Sequence, residues 1–311
     1  MTQPPFRPIT VARLAFCAAC SIAVTACSTS AGVATSGAGG SRVIQVVAAE
    51  NFWGSIAAQV GGRHAHVVSI ITSPTADPHV YEPTAADART IAQSQVVIEN
   101  GLGYDPWAAR MLAASSGQTV LNVGQVAGAP VGGNPHRWYN PADVQAVIAT
   151  LVADFSRIDP TDRAYFKAQR ARFDHIALAR YHALISAIRS KYAGTPVGAS
   201  ESIFAMLAPA LGLKLMTPYS FLKAISEGTD VTAADKLTID NQIRKHLIRI
   251  YVYNSQNITH DVQVQLAEAK AQHVPTATIT ETLVPPTSSY QAWQVRQLQG
   301  IEAALAKATG H

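Results

Sequence analysis

The stretch VIQVVAAENFWGSIAAQVGGRHAHVVSII, residues 43–71, decides how the chain folds. It opens with an apolar run, Val43 to Ala49, of the length and composition of a strand buried on both faces. A helical segment from Trp53 to Val60 follows, stopped by Gly61-Gly62, and a second apolar run, His66 to Ile71, comes straight after it. Strand, helix and strand in this order suit a buried parallel sheet. The pattern continues outward: helix Pro83–Gln93, strand Val96–Asn100, helix Pro106–Ser115, strand Thr119–Val123 and helix Pro141–Phe155. The alternation predicts a doubly wound α/β lobe over residues 43–158.

The pattern breaks at Pro160. Residues 161–192 contain neither Gly nor Pro and carry Phe166, Phe173, Ile176, Leu178, Leu184 and Ile185 among charged positions. Thr161-Asp162 suits a helix start and Gly194 a stop. A helix of that length spans roughly 45 Å, more than one small domain, so residues 159–192 are read as a rigid rod linking two lobes. Alternation then resumes with strands at 196–199, 214–216, 248–253 and 276–279, interleaved with helices at 203–211, 233–245 and 262–272 and a last helix, 290–308. A second α/β lobe over residues 193–311 is expected, with a crevice between the two.

Composition supports this and removes other classes. The 311 residues are 48% hydrophobic and 14% charged, enough to bury a large core. Lys and Arg number 24 against 20 Asp and Glu, and two of the cations, Arg7 and Arg13, fall in a segment expected to be removed. The remaining balance of +2, without a basic cluster, is no nucleic-acid footprint.

All three cysteines, Cys17, Cys20 and Cys27, lie near the start. Residues 14–26 form an uncharged, largely apolar run of 13, preceded by two arginines. Such a run is short of the roughly 20 residues needed to span a bilayer and has the layout of an export signal. Val24-Thr25-Ala26-Cys27 resembles a bacterial lipobox, which predicts a signal peptide over 1–27, lipidation of Cys27 and an extracytoplasmic, membrane-anchored protein. Residues 28–42, rich in Gly, Ser and Ala, then read as a flexible tether.

Of ten histidines, most have unremarkable settings. His64, His175, His182, His246, His260, His273 and His311 read as surface residues, and His66 as structural. His79 and His136 differ. They stand in Asp77-Pro78-His79-Val80-Tyr81 and Asn134-Pro135-His136-Arg137-Trp138, each with an Asp or Asn before the proline and an aromatic two residues on. Proline restricts the backbone just ahead of each ring and so lowers the entropy lost on ordering an imidazole for metal. In the second lobe, Glu201 and Glu281 each follow the end of a predicted strand, where α/β sheets place ligands. Two imidazoles from one lobe and two carboxylates from the other would make a compact metal site across the crevice.

These motifs resemble the metal-binding lipoproteins of bacterial ABC importers for zinc and manganese, the cluster A-I solute-binding proteins. The resemblance runs over nearly the whole mature chain, through Ala48-Ala49-Glu50-Asn51-Phe52-Trp53, the Asp-Pro-His and Asn-Pro-His-x-Trp pieces, Val97-Ile98-Glu99-Asn100-Gly101 and Glu281-Thr282-Leu283. It implies two lobes on a rigid backbone helix, with His79, His136, Glu201 and Glu281 as ligands of one transported Mn2+ or Zn2+. It also implies a monomer that is not an enzyme and that works with an ABC permease and its ATPase. The His-rich acidic loop of many zinc carriers is missing, since residues 124–134 are short and Gly-rich, and there are no cysteines for a second-lobe disulfide. The two carboxylates lean toward the harder Mn2+, while the general affinity order favours Zn2+.

Two other classes compete. A lipoprotein with structural histidines could bind an organic ligand or a protein partner in the crevice. A metal-dependent hydrolase could use the same His/Glu set, although no His-Glu-x-x-His helix and no Gly-x-Ser-x-Gly elbow is present.

Overall fold

A computed structural model describes residues 43–310. Cys27, the signal segment 1–27, the whole of the tether 28–42 and His311 lie outside the described residues. The first lobe runs β1 (Ile44–Glu50), α1 (Asn51–Gly61), β2 (Ala65–Ile71), α2 (Ala85–Ala92), β3 (Val96–Glu99), α3 (Pro106–Ala113), β4 (Thr119–Asn122), the single turn α4 (Val123–Val126) and α5 (Pro141–Ile158). Its four strands are all parallel in the order β2-β1-β3-β4, with Val46 beside Val67 on one side and Val96 on the other.

Strand β1 shows why the order is what it is. Ile44, Val46 and Ala48 point into one core with Phe52, Ile56 and Val60 of α1, while Val47 and Ala49 point to the opposite face with Ile91, Val97 and Trp107. A strand apolar on both faces belongs in the middle of a sheet covered by helices on each side. Helix α1 lies so close to the sheet that a Cβ on Gly54 would fall 2.1 Å from Ser69 Oγ, so a side chain there would have to displace that hydroxyl.

The second lobe repeats the plan with β5 (Pro196–Ala199), α8 (Ser202–Leu207), β6 (Lys214–Leu215), α9 (Tyr219–Ser226), α10 (Ala233–Arg244), β7 (Ile250–Asn254), α11 (His260–Ala271), β8 (Thr276–Ile279) and α12 (Tyr290–Thr309). Its parallel order is β6-β5-β7-β8, the same permutation as in the first lobe. Helix α9 is absent from the sequence reading. Its buried face, Phe221, Leu222 and Ile225, has helical spacing, but the helix is only eight residues long and directly follows Pro218.

The stretch expected as a single rod is helical from Arg163 to Tyr192 but is not one α-helix. α6 (Arg163–Arg172) passes into a π-helical turn, Phe173–Ala177, and after Leu178 continues as α7 (Ala179–Tyr192). A π turn adds a residue to the repeat and rotates the buried stripe, so that Phe166 before it, Phe173 at its start, and Leu178, Tyr181, Leu184 and Ile188 after it all reach the core. The helix stops where expected, at Gly194 with φ of +78°.

One apolar core runs through both halves, beside a smaller one in each. It contains Val46 and Phe52 of the first lobe, Tyr181 and Ile188 of α7, Val197 and Val252 of the second sheet, and Trp293 and Leu298 of α12. Polar links reinforce it: Gln59 and Gln291 exchange two side-chain hydrogen bonds of 3.0 and 2.7 Å, and Tyr290 Oη donates to the Trp138 carbonyl at 2.6 Å. The fold is therefore two doubly wound lobes on a long helical backbone, with the carboxyl ends of both sheets opening on a shared cleft.

Candidate metal centre

In each sheet the connections leave the two central strands toward opposite faces, which opens a crevice at their carboxyl ends. The two crevices face each other across a cleft of about 510 Å3 lined by Asp77, His79, Asn134, His136, Ser202 and Glu281, among others. His79 arrives on the loop after β2, His136 on the loop after α4, and Glu281 just past β8.

His136 is almost fully buried, and its orientation follows from its neighbours. Asn134 Nδ2 donates to the Ser202 carbonyl at 2.7 Å, so the other end of that amide, Oδ1, is the acceptor. Oδ1 takes the His136 backbone N–H at 3.0 Å and stands 2.8 Å from ring Nδ1. Nδ1 therefore carries the proton, and Nε2 presents a lone pair. Nε2 faces Glu281 Oε1 at 3.6 Å. That is too long for a hydrogen bond. It is close to the roughly 3.4 Å that separates two donors each about 2.1 Å from one tetrahedral ion.

Burial pushes the His136 pKa down, more strongly than the nearby Glu281 raises it, so the ring is held in its neutral, ligating form. Burial pushes the Glu281 carboxyl up, while His136 and His79 in their charged forms and the Tyr104 hydroxyl pull it down, with a net shift below the usual range.

His79 is fixed by its own motif: Asp77 Oδ1 accepts the His79 backbone N–H at 2.9 Å, with Pro78 between them. Its ring meets Tyr104 edge-on at 4.8 Å, and its Nε2 is buried with no hydrogen-bond partner. A buried ring nitrogen left without a partner costs free energy unless something else binds there.

Glu201 is placed differently. It follows β5 and is buried, but its carboxylate turns to Asn254 Nδ2 at 2.9 Å and to Asn257 Nδ2, and it is Ser202, not Glu201, that lines the cleft. Burial and the negative charge of Glu281 push its pKa well up, against the two amide hydrogen bonds. The structure thus brings His79, His136 and Glu281 to one cleft and sets Glu201 just behind its wall. No three of these four bring ligand atoms within 4.8 Å of one another.

Among the described residues the one group that does so is His64, Asp159 and Asp162, just past the C-terminal end of α1. His64 is buried rather than on the surface, as its polar neighbours had suggested; its Nδ1 pairs with Asp162 at 2.5 Å and its Nε2 accepts from Arg63 Nε at 2.9 Å. Both ring nitrogens are thus engaged, and an adjacent guanidinium disfavours a cation there. His66, read as structural, is exposed on the edge strand β2.

Several residues that shape the cleft escaped the sequence reading. Tyr104, fully buried between the two histidine rings, turns its hydroxyl toward Glu281. Asn254 and Asn257 cradle Glu201, and Asn134 and Ser202 orient His136. Asn134 stood inside a quoted motif, and the signal missed was that an Asx residue two before a histidine can reach both its backbone and its ring. Asn254 and Asn257 carry no such local mark, because their partner lies more than 50 residues away.

The comparisons with known proteins agree with this architecture. The family model of the zinc-uptake complex component A periplasmic proteins, ZnuA, matches residues 46–304. A protein of Treponema pallidum (strain Nichols) described as metal-binding is 28% identical over 171 residues, 48% of this chain and 52% of that protein. The manganese-binding lipoprotein MntA of Halalkalibacterium halodurans is 25% identical over 122 residues, 38% of this chain and 40% of the relative. The chain thus spans about half the length, or less, of the curated relatives it matches. Among solved structures, the Cd-bound periplasmic metal binding protein of candidatus liberibacter asiaticus superposes with a TM-score of 0.71 at 18% identity, covering 84% of this chain and 99% of that one. FpvC of Pseudomonas aeruginosa in complex with Mn2+ gives 0.67 at 19% identity, covering 86% and 99%. At these identities the structures establish the shared fold. With 259 of its residues, 46 through 304, matched to a single family model, the chain belongs to the zinc-uptake complex component A family of periplasmic proteins.

Proposed function

We propose that this protein captures one divalent transition metal ion, Mn2+ or Zn2+, outside the cytoplasm and delivers it to an ABC permease and its ATPase. The observation that carries the reading is the buried, unpartnered Nε2 of His79 beside a His136–Glu281 pair already at ligand-to-ligand spacing. His79, His136 and Glu281 are the donors at the cleft, and Glu201 is the fourth. Bringing all four to one ion requires His79 and Glu201 to move toward the His136–Glu281 pair, and Glu201 to leave its two asparagines. Two carboxylates offset the ion's charge, and two neutral imidazoles disfavour Mg2+ and Ca2+. Cys27 supplies the lipid anchor that holds the carrier near its permease. Metal analysis of protein purified without chelator or added metal tests this: about one equivalent of Mn or Zn per chain supports it, and a metal-free protein that takes up neither ion contradicts it.

A further inference from the structure

Beneath the cleft, at the carboxyl end of β1, is a second carboxylate that the metal reading does not use. Glu50 is fully buried, and neither of its oxygens receives a hydrogen bond from any N–H or O–H among the described residues. Its near neighbour is another acid, Asp105, within hydrogen-bonding reach, and the charges of Glu99 and Glu281 add smaller repulsions. Two buried carboxylates in contact repel unless they share a proton.

The surroundings decide which of the two is ionised. Asp105 Oδ2 accepts the Asn100 backbone N–H at 2.6 Å, and Oδ1 accepts that of Gly101 at 2.8 Å. With its donors in place, Asp105 is the better anion, which leaves Glu50 as the acid. Both groups are raised, Glu50 well above its ordinary value by burial and then by Asp105, and Asp105 to about 6 by burial.

The segment that Asp105 grips leads straight to the metal site. Asn100 Nδ2 donates to the Pro135 carbonyl at 2.9 Å, one residue before His136, and Asn100 Oδ1 accepts from Trp53 Nε1 at 3.0 Å. Tyr104 precedes Asp105 and packs against both histidine rings. We infer that Glu50 is a positioning residue, a neutral acid whose O–H donates to Asp105 and so fixes residues 100–105, and with them Tyr104 and His136, at the cleft. The affinity readout of this role rests on the metal reading above; the protonation of Glu50 does not.

Two variants separate the outcomes. In Glu50→Gln an amide N–H replaces the acid O–H and keeps the bond to Asp105, whereas Glu50→Ala leaves the loop unbraced. Removing such an outer partner of metal ligands typically costs 10–100-fold, so Zn2+ or Mn2+ affinity should fall by about tenfold or more in Glu50→Ala. It should stay within about threefold of wild type in Glu50→Gln. The infrared difference spectrum, wild type minus Glu50→Gln at neutral pH, should show a carboxylic-acid C=O stretch. A difference spectrum showing only carboxylate bands overturns the assignment, as does a Glu50→Gln variant that binds as weakly as Glu50→Ala, or a Glu50→Ala variant that binds like wild type. A wild-type protein that binds no metal sinks the metal reading and with it the positioning role, while the infrared band still decides whether Glu50 carries the proton.

Discussion

His136 Nε2 and Glu281 Oε1 face each other at 3.6 Å, one from each lobe, at the point where the carboxyl ends of two parallel sheets meet. The pair is too far apart to hydrogen-bond and at the right spacing to share an ion. Burial favours the neutral, ligating form of the imidazole, and the Tyr104 hydroxyl turned toward Glu281 favours its carboxylate.

Replacing His136 with Ala, or Glu281 with Gln, removes a donor outright. Either change should weaken Zn2+ or Mn2+ binding by about a hundredfold or more, beyond the 10–100-fold of an outer-shell loss. Isothermal titration of metal-free protein measures this, and a variant within a few-fold of wild type removes that residue from the site.

Asn134→Ala leaves every donor in place but frees the His136 ring to turn and to take the other tautomer. A loss of roughly 10–100-fold is expected, with little change in metal stoichiometry. Nitrogen-15 chemical shifts of the ring check the cause: the wild type should carry its proton on Nδ1, and a wild-type ring protonated on Nε2 would rule the explanation out.

Much of the fold was legible because its signals are local. Val43 to Ala49 is apolar at every position but one, which only a central, doubly covered strand requires, and the Gly61-Gly62 stop fixed the crossover length. The π turn at Phe173–Ala177 left no such trace, since it answers to where the core of both lobes lies rather than to the composition of the helix. The two histidines were legible because proline and an Asx residue mark their loops. What Glu201 bonds to was not, because Asn254 and Asn257 come from a different strand end, and the Glu50–Asp105 contact joins residues 55 apart in sequence.

The buried acid pair predicts a pH dependence of stability. Glu50 and Asp105 have folded pKa values above their unfolded ones, so the folded chain binds these protons more tightly. Their contribution is most favourable below about pH 4 and declines as pH rises through the unfolded and then the folded values. Glu50→Gln, which cannot ionise, should therefore gain stability relative to wild type as pH is raised from about 4 to 8. Denaturant melts across that range test it, and a constant or shrinking difference contradicts the pair.

An ion bound only by the folded chain adds about 4 kcal/mol at a thousandfold excess over Kd. For a chain of this size that is a rise on the order of 10 °C in Tm. Zn2+ or Mn2+ should produce it in a calorimetric scan, and Mg2+ or Ca2+ should not; equal shifts with all four would mean that the histidines confer no selectivity.

Cys27 lies outside the described residues, and its role is tested in cells. Cys27→Ser should move the protein from the membrane to the soluble extracytoplasmic fraction, and unchanged membrane association would discard the lipobox reading.

The most direct test of the central claim is a titration of metal-free protein with Zn2+ or Mn2+, wild type beside the His79→Ala/His136→Ala double variant. One ion per wild-type chain and none in the double variant, with both proteins folded by circular dichroism, is the predicted result. Equal binding by the two would place the ion elsewhere, with His64, Asp159 and Asp162 the first group to examine, and would contradict the account.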